Sequence, residues 1–229
     1  MNLAIVGYGK MGRMIDQLAP EHGFTTRLRL DIDNNAGQQG LTRESLANID
    51  VAIEFSVPDA AAANLIRLAE LGIHTVAGAT GWLNRIDEVR RAVERNGTGL
   101  VWAPNFSVGV NVFMRLVTEA ARLLAAQPEY GAWGWEIHHD AKVDAPSGTM
   151  LRLVERMKAA GYDRPIDVAS NRAGKAPGTH EIGFDSASDT ITLRHEARSR
   201  IGFAAGALTA ARWIAGRKGF YEFSQILFE

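Results

Sequence analysis

The hydrophobic and polar positions of the chain follow two rhythms. Up to about residue 105, short apolar runs alternate with amphipathic stretches. A run at 3–6 ends at Gly7, and the segment 10–19 follows it with Met11, Met14, Ile15 and Leu18 at helical spacing. A second strand is predicted at 25–32, where Thr26, Leu28, Leu30 and Ile32 alternate with polar neighbours beside the acidic pair Asp31 and Asp33. Further strands are predicted at 51–56, 73–78 and 99–103, separated by an alanine-rich helix from Pro58 to Leu71 and another over 84–95. Strands alternating with helices predict an α/β fold, a Rossmann-type doubly wound parallel sheet.

After Asn105 the rhythm changes. A long helix is predicted over 110–126, a strand at 132–139, and a helix over 149–159 with Leu151, Val154 and Met157 or Lys158 on one side. Strands at 180–185 and 190–196, separated by Ser186-Ala187-Ser188-Asp189, predict an antiparallel hairpin. These elements describe a second, mixed α+β domain. A last helix over 204–215 and the apolar tail 220–228 are expected to pack back on the first domain. The expected domains are therefore 1–106 with 205–229, and 107–204.

Composition narrows the class. The chain has 229 residues, 46% of them hydrophobic, with 25 Lys and Arg against 26 Asp and Glu. A formal net charge of -1 gives no global field toward nucleic acid or an anionic membrane, so neither is an expected partner. The absence of cysteine excludes disulfides, thiolate metal sites and cysteine nucleophiles, and no metal site is expected. The first apolar run has no basic segment before it and is soon interrupted by glycine, which reads as a cytoplasmic protein.

Two stretches carry chemistry. Gly7-Tyr8-Gly9-Lys10-Met11-Gly12 fits G-x-G-x-x-G between a strand and a helix, where backbone N–H groups and the helix N-terminus favour a pyrophosphate. Asp31, at the end of the second strand, is the candidate for the adenosine ribose hydroxyls, with Asp33 as fallback; the plain alternative is that one of them caps a turn. Since neither Arg nor Lys occurs in 32–39, NADH is expected to serve at least as well as NADPH, although Lys10 and Arg13 lie near enough in sequence to reach a phosphate.

The second stretch runs from Glu136 to Thr149, EIHHDAKVDAPSGT. A histidine titrating near neutrality can deliver a proton to a substrate that gains a hydride, and Lys142 supplies a point charge for a carboxylate. Pro146 breaks the chain, Ser147 is an expected N-cap, and the free N–H groups near Gly148 and Thr149 suit a second carboxylate. His138 and His139 would face opposite sides of a regular strand, so both face one ligand only if the chain leaves extended geometry there.

Here the chain resembles the dihydrodipicolinate reductase (4-hydroxy-tetrahydrodipicolinate reductase) family, whose signature E-[IL]-H-H-x-x-K-x-D-A-P-S-G-T is matched throughout by Glu136 to Thr149. Similarity continues through GATGW at 78–82, APNFSVGVN at 103–111, RAGKAPGTHEIGF at 172–184, HEARSRIGFAAGA at 195–207 and the tail GFYEFSQIL. The resemblance implies reduction of a cyclic dicarboxylate to tetrahydrodipicolinate in lysine and diaminopimelate biosynthesis, with NADH or NADPH as cofactor. It implies His138 as the general acid, His139 as a substrate contact, Lys142 as carboxylate ligand and proton-transfer partner, and Ser147, Gly148 and Thr149 as the second carboxylate's cradle. Arg200 would approach the substrate. Phe55, Gly78, Thr80, Ala103, Asn105 and Phe106 would join the glycine turn in cofactor binding. The family also implies domain closure and a homotetramer, with a dimer as the alternative for this shorter chain. Three departures stand out: a glycine turn one residue tighter with Lys10 in place of arginine, one threonine where the family often has two at 79–80, and the reduced length. Two rivals keep the glycine motif: another two-domain dehydrogenase, acting on an amino acid or a polyol, and a non-catalytic NAD(H)-sensing module.

Overall fold

A computed structural model describes residues 1–228 and divides the chain into two compact units, Met1–Val108 with the segment from Ile201 onward, and Gly109–Arg200. In chain order the first unit contributes β1 (Asn2–Val6), α1 (Lys10–Leu18), β2 (Thr25–Leu30), α2 (Ile32–Asn35), β3 (Val51–Glu54), α3 (Pro58–Glu70), β4 (His74–Ala77), α4 (Ile86–Asn96) and β5 (Gly99–Trp102). Then come α5 (Val108–Leu124), β6 (Gly131–His138), α6 (Gly148–Ala159), β7 (Ile166–Arg172), β8 (Thr179–Asp185) and β9 (Thr190–Glu196). The chain returns through α7 (Ile201–Ile214), β10 (Gly219–Glu222) and α8 (Phe223–Ile226).

The first unit is a six-stranded parallel sheet in the order β10-β5-β4-β3-β1-β2. Every residue of β3 and all but the first of β1 are buried, as expected of strands covered on both faces, which is why they read as unbroken apolar runs rather than alternations. The returning helix α7 places Ala204, Ala207, Leu208, Ala211 and Ile214 in the core with Leu3, Ile5, Val51, Ile53, Val76 and Val101. β10 then adds to the sheet beside β5, so the tail docks as an edge strand. β2 stops two residues short of the predicted end. Asp31 leaves the strand to cap α2, its side chain accepting the Ile32 N–H at 3.0 Å while the Asn34 side chain accepts the Asp31 N–H at 2.7 Å.

The second unit holds a four-stranded mixed sheet in the order β7-β6-β8-β9, with β6 and β7 parallel and the other pairs antiparallel. The predicted hairpin is β8 and β9. Its core joins Phe113, Met114 and Val117 of α5 to Met150, Leu153 and Met157 of α6 and to Ile182 and Phe184 of β8. The buried face of α6 meets the predicted one at Met157 and at the partly buried Val154, but Met150 and Leu153 complete it and Leu151 is 57% exposed. β7 was not predicted: IDVASNR alternates half-buried with exposed residues and lacks the apolar strength of its neighbours. Among the described residues, no helix is long and apolar enough to cross a membrane.

Candidate active site

The glycine turn between β1 and α1 is shaped by two steric constraints and one opening. Gly7 has φ +95°, and a Cβ there would lie 2.5 Å from the Phe55 carbonyl; one at Gly12 would lie 2.2 Å from the Gly7 oxygen. A Cβ at Gly9 would meet nothing within 4 Å. Gly7 and Gly12 therefore serve the tight turn and the close seating of α1, while Gly9 is the position at which a ligand can approach the backbone. Gly9 caps α1 without a side-chain hydrogen bond, and the first turn contains no acid, which leaves that end open to an anion. These features fit a dinucleotide pyrophosphate.

The other predicted cofactor residues sit around the C-terminal ends of the strands, in different settings. Lys10 is exposed and Met11 packs partly into the core. Asp31 is exposed at the end of β2, where it both caps α2 and remains open to solvent. The Phe55 ring occupies the space a Cβ on Gly78 would need and tilts toward Phe106 at 6.3 Å, which explains a glycine at 78. Thr80 is exposed, and Asn105 accepts the Ser107 N–H at 2.9 Å. Ala103 and Phe106 are core side chains, so a contact from either to a bound cofactor would be made by the backbone.

In the second unit the chemistry is organised by a row across the sheet. Register places Ser170 of β7, Glu136 of β6, His180 of β8 and His195 of β9 side by side. Glu136 is fully buried. Its Oε1 accepts the Ser147 N–H at 2.8 Å, the Ser170 hydroxyl at 3.0 Å and Arg172 Nη2 at 3.0 Å, and its Oε2 accepts the Ser147 hydroxyl. Burial pushes the Glu136 carboxyl up, but these donors outweigh it and hold it below the usual range. Glu136, His138 and His180 bring groups of the metal-binding kind within 4.8 Å of one another, with Glu136 Oε1 already accepting three protein donors and Oε2 the Ser147 hydroxyl.

That carboxylate holds the start of α6 to the end of β6. Ser147 is the N-cap, accepting the Met150 N–H at 3.2 Å, as its place after Pro146 predicts. β6 ends at His138, so the chain does leave extended geometry between the two histidines; His138 is buried and His139 half-buried. His138 Nδ1 lies 3.8 Å from Glu136 Oε2, and its Nε2 lies 3.0 Å from where a Cβ on Gly178 would stand. Burial lowers the His138 pKa, with Glu136 opposing and Lys142 and Arg172 adding to the decrease.

Lys142 is bound by Asp144 through both carboxylate oxygens, at 2.7 and 2.9 Å, and Asp144 Oδ2 also accepts the Gly148 N–H at 3.4 Å. Asp144 thus occupies two of the donors that the sequence assigns to substrate carboxylates. Thr149 is half-buried in the first turn of α6, and Arg200 is exposed at the end of the unit, with no hydrogen bond to Glu136 among the described residues. Sequence reasoning passed over Glu136, Arg172 and His180 as individual actors. His180 had a readable signal: it alternates with Ile182 and Phe184, both fully buried, so a polar side chain stands at a core position.

Comparison with known proteins agrees with this geometry. The family model described as dihydrodipicolinate reductase, N-terminus, matches residues 1–106, and the one described as dihydrodipicolinate reductase, C-terminus, matches 109–227. The 4-hydroxy-tetrahydrodipicolinate reductase of Christiangramia forsetii is 34% identical over 240 residues, covering 99% of this chain and 98% of that one. That of Archaeoglobus fulgidus is 32% identical over 260 residues, covering 99% and 100%. The dipicolinate-bound dihydrodipicolinate reductase of a Paenisporosarcina species shares the fold with a TM-score of 0.84 at 22% identity, covering 99% of each chain. With both halves matched in order and along their length, the chain belongs to the dihydrodipicolinate reductase family.

Proposed function

We propose that the chain reduces 4-hydroxy-tetrahydrodipicolinate to tetrahydrodipicolinate, with His138 delivering the proton. The observation that carries this reading is the Glu136 hub: it accepts from Ser147 at the start of α6, lies 3.8 Å from buried His138, and is joined through Arg172 to the Asp144 carbonyl beside Lys142. The glycine turn would hold the pyrophosphate of a nicotinamide dinucleotide, which would supply a hydride when bound. The residues of the second unit supply the rest. Lys142 and the N–H groups at Gly148 and Thr149 take the carboxylates in place of Asp144, with His139 and Arg200 as further substrate contacts. Burial keeps His138 largely neutral in the free protein; a dianionic ligand beside it favours the imidazolium, so the acid is charged when substrate arrives.

For the cofactor, the absence of a basic residue at 32–39 and the engagement of Arg29 with Asp16 at 2.8 Å leave a 2′-phosphate facing carboxylates after β2, which supports NADH as at least an equal donor. For assembly, α5 and α6 cover one face of the mixed sheet, while Trp133 and Trp135 stand on the other, which supports a homotetramer through that face. Light scattering of the purified chain tests this, and a monomer at micromolar concentration would refute it.

The functional test is NADH or NADPH oxidation with freshly generated 4-hydroxy-tetrahydrodipicolinate. Turnover is expected with this dicarboxylate and absent with polyols and open-chain amino acids. Tight NADH binding without turnover would instead favour a sensing module.

A further inference from the structure

The proton and carboxylate contacts above leave His180 unused, although it is 5% exposed at the centre of the polar row. An imidazole buried without partners is costly, so its hydrogen bonds define its role. Nε2 lies 3.2 Å from Ser147 Oγ and 3.5 Å from Glu136 Oε2. Ser147 has a single hydroxyl proton, and it goes to Glu136 Oε2; its oxygen also accepts from Met150. The oxygen can face Nε2 only as an acceptor, so Nε2 carries the hydrogen. Nδ1 is then bare, and it is buried with no hydrogen-bond partner.

The same carboxylate oxygen is the neighbour of His138 Nδ1, also buried without a hydrogen-bond partner. The two rings meet edge to face with centroids 5.0 Å apart. Two imidazoles converge on one oxygen, and His180 is the nearer.

We propose that His180 is a positioning residue for the reaction: a neutral Nε2–H donor that steadies the Ser147–Glu136 pair and shares Glu136 Oε2, so that His138 cannot form a full ion pair with it. A His138 imidazolium paired fully with Glu136 would hold its proton too firmly to be an effective acid; a shared carboxylate leaves that proton transferable. Burial brings the His180 pKa down to about 4, with His138 adding to the decrease and Glu136 opposing it, so His180 stays neutral while His138 gains and loses its proton. The charged groups around His138 are Glu136, Lys142, Arg172 and Asp144; around His180 they are His138, Glu136, His195 and Lys142. The inference rests on the reading of His138 as proton donor.

The test titrates His138 by NMR in the free full-length protein and measures the pH profile of kcat, for the parent, His180→Leu, His180→Gln and His180→Asn. His180→Leu is expected to raise the His138 pKa by roughly 0.5 to 1 unit and to move the kcat profile in the same direction. Gln places an N–H donor near the position of Nε2 and is expected to restore both. The shorter Asn cannot reach Ser147 and should behave like Leu, which keeps the test open if the Leu variant does not fold. An unchanged His138 titration without the Nε2 donor overturns the inference, as does a shift that Gln fails to reverse. A His138→Gln variant with parental turnover would overturn the proton-donor reading instead, and the titration in the free protein separates the two failures.

Discussion

Glu54 offers a quantitative test of how the first unit is built. It ends β3 fully buried; Oε1 accepts from the Ser56 N–H at 3.1 Å, the Ser56 hydroxyl and Asn64 Nδ2 at 3.3 Å, while Oε2 is buried without a hydrogen-bond partner. Burial raises its pKa from 4.5 to about 6, the bonds from Ser56 and Asn64 recovering only part of the cost. Because the folded-state value lies above the unfolded one, the stabilisation is complete below pH 4.5 and is lost as pH rises through 6. The shift of about 1.5 units corresponds to about 2 kcal/mol. Glu54→Gln removes the titration and keeps the shape. Urea unfolding of both proteins at pH 5 and pH 8 isolates the effect, since other titrating groups cancel in the difference. The variant should gain about 1 kcal/mol relative to the parent between those two pH values, the remainder being lost below pH 5. Parallel stability curves would show that Glu54 is not the strained acid described here.

Other substitutions separate packing from binding. Gly12→Ala, which forces a Cβ against the Gly7 oxygen, should cost at least about 1–3 kcal/mol in unfolding experiments, whereas Gly9→Ala should leave stability within about 0.5 kcal/mol and weaken NADH binding by calorimetry. Glu136→Gln leaves Arg172 in a largely buried place without its anion and should destabilise the second unit by about 3 kcal/mol, seen as a lower denaturation midpoint. Asp144→Asn frees Lys142 and the Gly148 N–H; because the pair is exposed, the gain is limited to about 1 kcal/mol, and KM for the dicarboxylate should fall by up to about fivefold with KM for NADH unchanged.

What the sequence revealed, and what it hid, follows from where free energy is stored. β1, β3, β4 and β5 are short apolar runs because a parallel sheet buries both faces, and the glycine turn announced itself because Gly7 and Gly12 satisfy steric demands that no other residue meets. β7 escaped because a half-covered strand with Asp167, Ser170 and Asn171 has little apolar contrast, and β10 because four residues after a loop show no period. The linear motif contained Glu136 but not its meaning: the carboxylate becomes a hub only when β7 and β8 deliver Ser170, Arg172 and His180 beside it. Asp31 showed the opposite limit, since an acid at a strand end reads equally as ribose ligand and helix cap, and it does cap α2. Asp144 adds a feature no spacing predicts, an internal carboxylate placed on donors suited to the substrate.

The central claim is that a buried histidine held beside Glu136 protonates the product of hydride addition. Its most direct test is single-turnover reduction of freshly generated 4-hydroxy-tetrahydrodipicolinate by His138→Gln, with NADH affinity measured on the same samples. A fall of about 10² to 10⁴ in the rate of the chemical step, with NADH affinity and folding unchanged, is the predicted result. A rate within a few fold of the parent would contradict it and assign the proton to another group.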